Sequence, residues 1–159
     1  MITGKMLIGQ SAVRGDNGSL CAINPATHET LSPDFGVGGI TEIDQACTLA
    51  QQAFDRYRAT TAEQRAQFLE AIATGILALG AALIERASLE SGLPAARLII
   101  ERGRTVSQLR LFAKVIRDGH YLGATLDSAL PTRLPSRPDL RLHKIALGPA
   151  AVFGASNFP

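Results

Sequence analysis

Gly148-Pro149-Ala150-Ala151-Val152-Phe153-Gly154-Ala155-Ser156-Asn157-Phe158-Pro159 is the stretch whose reading decides the fold. It opens at a Gly-Pro breaker and runs through small and apolar residues. It then turns at Gly154 and sets one amide side chain, Asn157, behind the apolar run. A buried strand followed by a small-residue turn and a polar side chain is a common way to build a site at a strand's carboxyl end. On residue type alone, Asn157 reads first as a turn residue that bonds its own neighbours.

Immediately upstream the texture differs. Pro131, Pro135 and Pro138 interrupt short alternating runs, and Leu140-Arg141-Leu142-His143-Lys144-Ile145 alternates apolar with polar. This predicts a half-exposed strand pair in an arm, residues 123–147, that projects and pairs with another chain or domain. Before the arm lie helices. Gly92-Leu93-Pro94 stops one helix and places Pro in the first turn of the next, which runs to about Asp118 with Leu98, Val106, Leu109, Phe112, Val115 and Ile116 inward. The charges of that helix, mostly basic, read as a solvated face.

Thr60 with Glu63 predicts a capping box opening a helix with Phe68, Leu69, Ile72, Ile76, Leu79 and Leu83 inward, kinked or broken near Gly80. Thr41 with Asp44 predicts the start of an earlier helix whose apolar stripe, Ile43 to Tyr57, packs into the core. Further back, Met6 to Arg14 and Leu20 to Leu31 read as two strands joined at Asn17-Gly18, the second broken at Asn24-Pro25, with a loop over 32–39.

The chain has 159 residues, 46% hydrophobic and 19% charged, with no Trp and a net charge of +2. That is a globular composition long enough for a core, and the charge is too small to argue for nucleic acid. No run approaches the ~20 apolar residues of a membrane span, and the first residues carry no signal-peptide pattern. Cys21 and Cys47 read as two buried thiols of a cytosolic protein rather than a disulfide, and no Cys/His spacing suggests a metal. Asn17-Gly18-Ser19 matches a glycosylation sequon but reads as a turn.

Several segments, in register along the whole chain, resemble the aldehyde dehydrogenase superfamily. The Asn157-Phe158-Pro159 ending looks like a family signature, and Asn24-Pro25-Ala26-Thr27 like its early turn. Glu90-Ser91-Gly92-Leu93-Pro94 looks like the end of its second helix. Gly103 to Ala113, with Ser156 before Asn157, is similar to the α-ketoglutaric semialdehyde (2,5-dioxovalerate) dehydrogenases.

The resemblance implies an α/β fold. Residues 1–122 are then the N-terminal part of a Rossmann-like cofactor-binding domain, 123–147 an oligomerisation arm of a homo-oligomer, and 148–159 the first strand and active-site turn. It implies a cytoplasmic enzyme that oxidises a small aldehyde with NAD or NADP through a cysteine thioester. Asn157 matches the oxyanion donor, and Phe153, Gly154, Ala155 and Ser156 the wall beside the nicotinamide. Phe158, Gln108, Leu109 and Phe112 match the substrate tunnel, although Leu109 and Phe112 also read as core.

A distal substrate carboxylate calls for a cation, and the sequence does not choose between Arg104 and Arg110. The nucleophilic Cys, the general-base Glu and the cofactor-phosphate turn match nothing in these residues, so the chain alone is expected to be inactive. The competing reading is a self-standing helical interaction module in which the basic helix and the arm bind a partner. Nucleic-acid binding ranks behind both, because the arginines are dispersed and aromatics are few.

Overall fold

The computed structural model describes residues 2–154. Two antiparallel hairpins come first: β1 (Met6–Ile8) with β2 (Ser11–Val13), and β3 (Ser19–Ile23) with β4 (Thr30–Gly36). The turns therefore fall elsewhere than at Asn17-Gly18. Asn17 donates its N–H to the Val37 carbonyl at 3.1 Å, and Val37 donates back to Gly18 at 3.0 Å, so this pair lies alongside the end of β4. Asn24 makes the second turn instead. Its Oδ1 accepts from the Ala26 N–H at 2.9 Å, and its carbonyl accepts from His28 at 2.8 Å. Both ends of the asparagine thus satisfy backbone that Pro25 cannot serve.

The expected loop over 32–39 is largely strand. Leu20 pairs with Phe35 and Ala22 with Leu31, so β4 carries a bulge opposite Cys21 that holds Pro33. A bulge is where a strand can hold proline without losing a ladder bond. Arg86 closes over the bulge. It donates to the Ser32 carbonyl and lies 6.0 Å over the Phe35 ring. Gly15 shows why the hairpins fit so closely, because a Cβ there would stand 2.1 Å from the Val37 carbonyl oxygen.

Four helices follow: α1 (Ile40–Arg58), α2 (Ala62–Ala78), α3 (Gly80–Ser91) and α4 (Ala95–Asp118). The caps sit one or two residues from those predicted. Gly39, not Thr41, precedes α1, and its N–H donates to Glu42 Oε2 at 2.7 Å. Thr61, not Thr60, opens α2; it accepts from the Gln64 N–H at 3.1 Å, while Gln64 Oε1 accepts from Thr61 at 2.9 Å. Pro94 immediately precedes α4. The break at Gly80 is present: α2 and α3 meet at 74°, with Gly80 at φ +60. That conformation penalises any side chain and ends the first helix. Taken singly, no helix among the described residues is long and apolar enough to cross a membrane.

The core is the seam between α2 and α4. Ala66 and Ala73, with the half-buried Leu69 and Ile76, give α2 an inner row spaced three and four residues apart. Val106, Leu109, Ala113 and Ile116 do the same for α4. The helices run antiparallel, since Arg117 near the end of α4 reaches the start of α2 and Arg102 donates to the Gly80 carbonyl at 2.8 Å. Small residues at the centre of such a seam let two backbones approach closely.

Much of the predicted inward set is not inward. Phe68, Ile72, Leu79 and Phe112 are exposed, and α1 buries nothing, so its stripe is not core packing in this chain. α2 and α4 cover each other along one side and α3 packs on α4 as well, but the described residues leave Phe68, Ile72, Leu79 and Phe112 open. Cys21 and Cys47 are free thiols as expected, but both are exposed rather than buried. A polypeptide of these 159 residues should therefore self-associate, because apolar area of this extent seldom stays in water. Sedimentation velocity should show species larger than the monomer that shift with concentration; a single monomer peak up to tens of micromolar would contradict this.

Arg117 ties the seam together at the surface. Its Nε and Nη2 donate to Glu63 at 2.8 and 2.9 Å, and its Nη1 and Nη2 donate to Glu70 at 2.6 and 3.0 Å. Hydrogen bonds from Arg117 and then Gln67 hold the Glu63 carboxyl down to about 2, from an ordinary 4.5. Arg117 lowers Glu70 as well. Both groups bind protons more weakly when folded, so their stabilisation is complete above pH ~4.5 and is lost as pH falls toward 2. Arg117→Met should flatten the fall in stability between pH 5 and 2.5, measured by urea unfolding; an unchanged slope would remove the clamp from the account.

Beyond α4, a short 3-10 turn (His120–Leu122) leads into β5 (Thr125–Asp127), which pairs antiparallel with β6 (Leu140–Leu142). The expected strand pair thus exists, but it is exposed throughout rather than half-exposed, with Arg137 the one residue of 123–147 that is even partly covered. Residues 148–154 form no strand. A parallel-sheet strand needs a neighbour for its N–H and C=O groups, and none is available among the described residues.

Candidate active site

The residues expected to form a site lie on two elements. Gln108, Leu109 and Phe112 are on α4. Leu109 is half-buried in the seam, whereas Gln108 and Phe112 are exposed on the other side. Leu109 therefore belongs to the core, and Phe112, 56% exposed, does not. Gln108 and Phe112 continue a row at four-residue spacing that begins at Ile100 and Arg104. Side chains four apart on a helix stack one above another on the same face. Ile100 is 72% exposed, and the four exposed residues follow a strip that winds about 120° around α4 from Ile100 to Phe112. Sequence reading did not single out Ile100.

The second element is the terminal stretch. Phe153 is 92% exposed, and a Cβ added at Gly154 would meet nothing within 4 Å. Ala155, Ser156, Asn157 and Phe158 lie outside the described residues, so the oxyanion assignment for Asn157 stands on the sequence. Neither of the two cysteines shares an element with these groups: Cys21 is on β3 and Cys47 on α1.

A cleft of about 840 Å³ lies elsewhere. It lies between α1 and the chain leading into the terminal stretch, with Phe54 and Tyr57 on one side, Ile145 and Pro149 on the other, and Arg58 and Lys144 among its basic groups. None of the predicted site residues among those described lines it. Arg58 stacks over Phe54 at 5.2 Å and pairs with Asp55 at 2.8 Å, which fits packing better than ligand binding. Among the described residues no group of His, Cys, Asp and Glu could hold a metal ion.

With this geometry in hand, the likeness to known proteins is informative. The sequence pattern of the aldehyde dehydrogenase family matches residues 13–159. The chain belongs to the aldehyde dehydrogenase family. Alpha-ketoglutaric semialdehyde dehydrogenase 2 of Azospirillum brasilense is 58% identical over 160 aligned residues, covering 99% of this chain and 30% of that protein. Alpha-ketoglutaric semialdehyde dehydrogenase of Acinetobacter baylyi is 46% identical over 157 residues, covering 98% of this chain and 30% of its own length. This family chain thus spans about 30% of the length of the curated relatives it matches.

Solved aldehyde dehydrogenases share the fold. An NAD-dependent benzaldehyde dehydrogenase from Corynebacterium glutamicum superposes with a TM-score of 0.72 at 21% identity, over 81% of this chain and 28% of that one. A betaine aldehyde dehydrogenase from Staphylococcus aureus, in complex with NAD+, gives 0.72 at 22% identity, over 82% and 27%. About four-fifths of this chain therefore shares the fold of part of these enzymes, and the α/β fold class holds. Uncovered faces on α1, α2 and α4 are what such a portion should show.

Proposed function

We propose that this chain is the N-terminal part of an enzyme that oxidises α-ketoglutaric semialdehyde to the dicarboxylate with NAD or NADP. The observation that carries this reading is the 58% identity, across 99% of the chain, to a dehydrogenase of that aldehyde. The open backbone at Phe153 and Gly154 supports a cofactor wall there, and the row on α4 supports a substrate wall. When bound, the nicotinamide supplies the hydride acceptor; a thiol nucleophile and a general base would come from polypeptide outside these residues.

What this chain contributes is orientation and charge stabilisation. Asn157 offers an amide N–H to the oxygen that becomes negative when the aldehyde carbonyl is attacked. Phe158 and Phe112 give the aldehyde chain apolar walls that exclude water, and Gln108 offers a polar contact between them. Phe153, Gly154, Ala155 and Ser156 shape the cofactor side. The arm at 123–147, exposed on both faces of its strand pair, is proposed to complete its pairing in a second copy of the chain. Residues 1–122 and 148–159 on either side of it would then belong to the cofactor domain.

Product analysis tests the reading. The polypeptide extended to the family's length should convert α-ketoglutaric semialdehyde to α-ketoglutarate, one reduced nicotinamide per acid formed. Absence of the acid, with cofactor and aldehyde both present, would overturn the proposal.

A further inference from the structure

We infer that Glu101 is the positioning residue that holds the Asn157 amide toward the reacting oxygen. The inference rests on the functional reading above and adds to it the group that orients the oxyanion donor.

α4 places Glu101 with the residues of the expected substrate wall. Glu101, Thr105, Gln108 and Phe112 follow at spacings of four, three and four, so at 3.6 residues per turn they fall within about 60° of one another around the axis. Thr105, Gln108 and Phe112 are exposed on this strip, whereas Glu101 is 4% exposed. One of its oxygens is occupied, since Oε1 accepts from Arg97 Nε at 2.7 Å. Oε2 is buried and has no hydrogen-bond partner among the described residues. The other buried side-chain atoms in that condition are nitrogens of Arg86 and Arg137, so among the described residues the unused buried acceptor is on Glu101. Leaving a buried carboxylate oxygen unpaired costs more than a typical hydrogen bond returns, so the assembled enzyme should bring a donor to it.

Asn157 is that donor. An amide carries two N–H groups, and the reaction uses one of them, on the oxygen that becomes negative. An acceptor on the second N–H fixes the plane of the amide and stops it turning away. Glu101 suits the task because Arg97 offsets its charge, which would otherwise oppose the charge developing on the reacting oxygen. Chain length permits the meeting. Pro149 shares a cleft with Tyr121 and Leu122, just beyond the end of α4. From there the level of Glu101 is about 25 Å back along the helix, and residues 149–157 reach about 26 Å when extended.

The test is a double-mutant cycle in the family-length enzyme with α-ketoglutaric semialdehyde. Glu101→Gln keeps the size of the side chain but has an acceptor at only one of its two ends, so it cannot serve Arg97 and Asn157 as the carboxylate does. It should lower kcat about tenfold and leave KM within about twofold, because the amide is misplaced while substrate still binds. On the Asn157→Ala background the same change should lower kcat by less than about twofold, since no amide is left to orient. A residue that serves only folding would cost the same factor in both backgrounds. That result, an unchanged kcat in the wild-type background, or a loss carried by KM would each overturn the assignment. If Glu101→Gln fails to fold, Glu101→Met carries the same comparison. A wild-type enzyme that leaves α-ketoglutaric semialdehyde unoxidised would instead overturn the functional reading beneath it, and the inference would fall with it.

Discussion

Replacing Asn157 by Ala in the family-length enzyme should reduce kcat about 10²- to 10³-fold, roughly 3–4 kcal/mol of transition-state stabilisation, as for other oxyanion donors. The sign and size follow from when the amide matters. A neutral aldehyde oxygen gains little from a hydrogen bond that water could supply equally well. Once the carbonyl is attacked, the charge on that oxygen makes a fixed donor in a dry site far more valuable. KM should change little, because the interaction strengthens only in the transition state. Asn157→Asp should be as poor as Ala, since a carboxylate cannot donate. A turn-forming asparagine would behave differently. Aspartate would substitute well, and the loss would appear in stability rather than in turnover. A drop of less than tenfold in kcat with intact folding would remove Asn157 from the chemistry.

The second large effect concerns the seam. Ala73 and Ala113 have no exposed surface, one on α2 and one on α4, and the helices can lie this close because those positions are small. Ala73→Leu should destabilise the chain by about 1–3 kcal/mol, because the added methylenes must displace a neighbouring backbone. Gly75, two residues on, gives the opposite sign. A Cβ there meets nothing within 4 Å, so Gly75→Ala should stabilise by about 0.5–1 kcal/mol through helix propensity. Urea unfolding of the three proteins checks both signs together. A neutral Ala73→Leu would mean that α2 and α4 do not pack through their alanines.

Helix existence and type were readable along the chain because each helix carries a long apolar period and a stop signal. Gly92 and Gly119 both end helices in the left-handed conformation, as a sequence reader expects of glycine. Cap positions slipped by a residue or two, since Thr60 and Thr61 are chemically equal candidates and only backbone geometry separates them. The hairpins were misassigned for a definite reason. Asn17-Gly18 is the stronger turn signal locally, but the ladder to Val37 outweighs it, and a bulge around Pro33 lets a proline-bearing segment act as strand.

Burial was the least legible property. Phe68, Ile72 and Phe112 carry a core pattern, yet all three are exposed among the described residues even though the Tyr57 ring meets Phe68 edge-on at 6.2 Å, so a correct period produced a wrong address. The same holds for the site. Spacing put Phe112 with Leu109 on the inward side, whereas the structure leaves Phe112 exposed, and Arg117 joins Glu63 and Glu70 across 54 and 47 residues, where no local pattern reaches.

The most direct measurement is aldehyde-dependent reduction of NAD or NADP by two polypeptides in parallel: these 159 residues alone, and the family-length protein that contains them. The family-length protein should form reduced nicotinamide with α-ketoglutaric semialdehyde and lose that activity with Asn157→Ala. The 159 residues alone should form none. Turnover by the short polypeptide, or a long one whose activity is untouched by Asn157→Ala, would contradict the account.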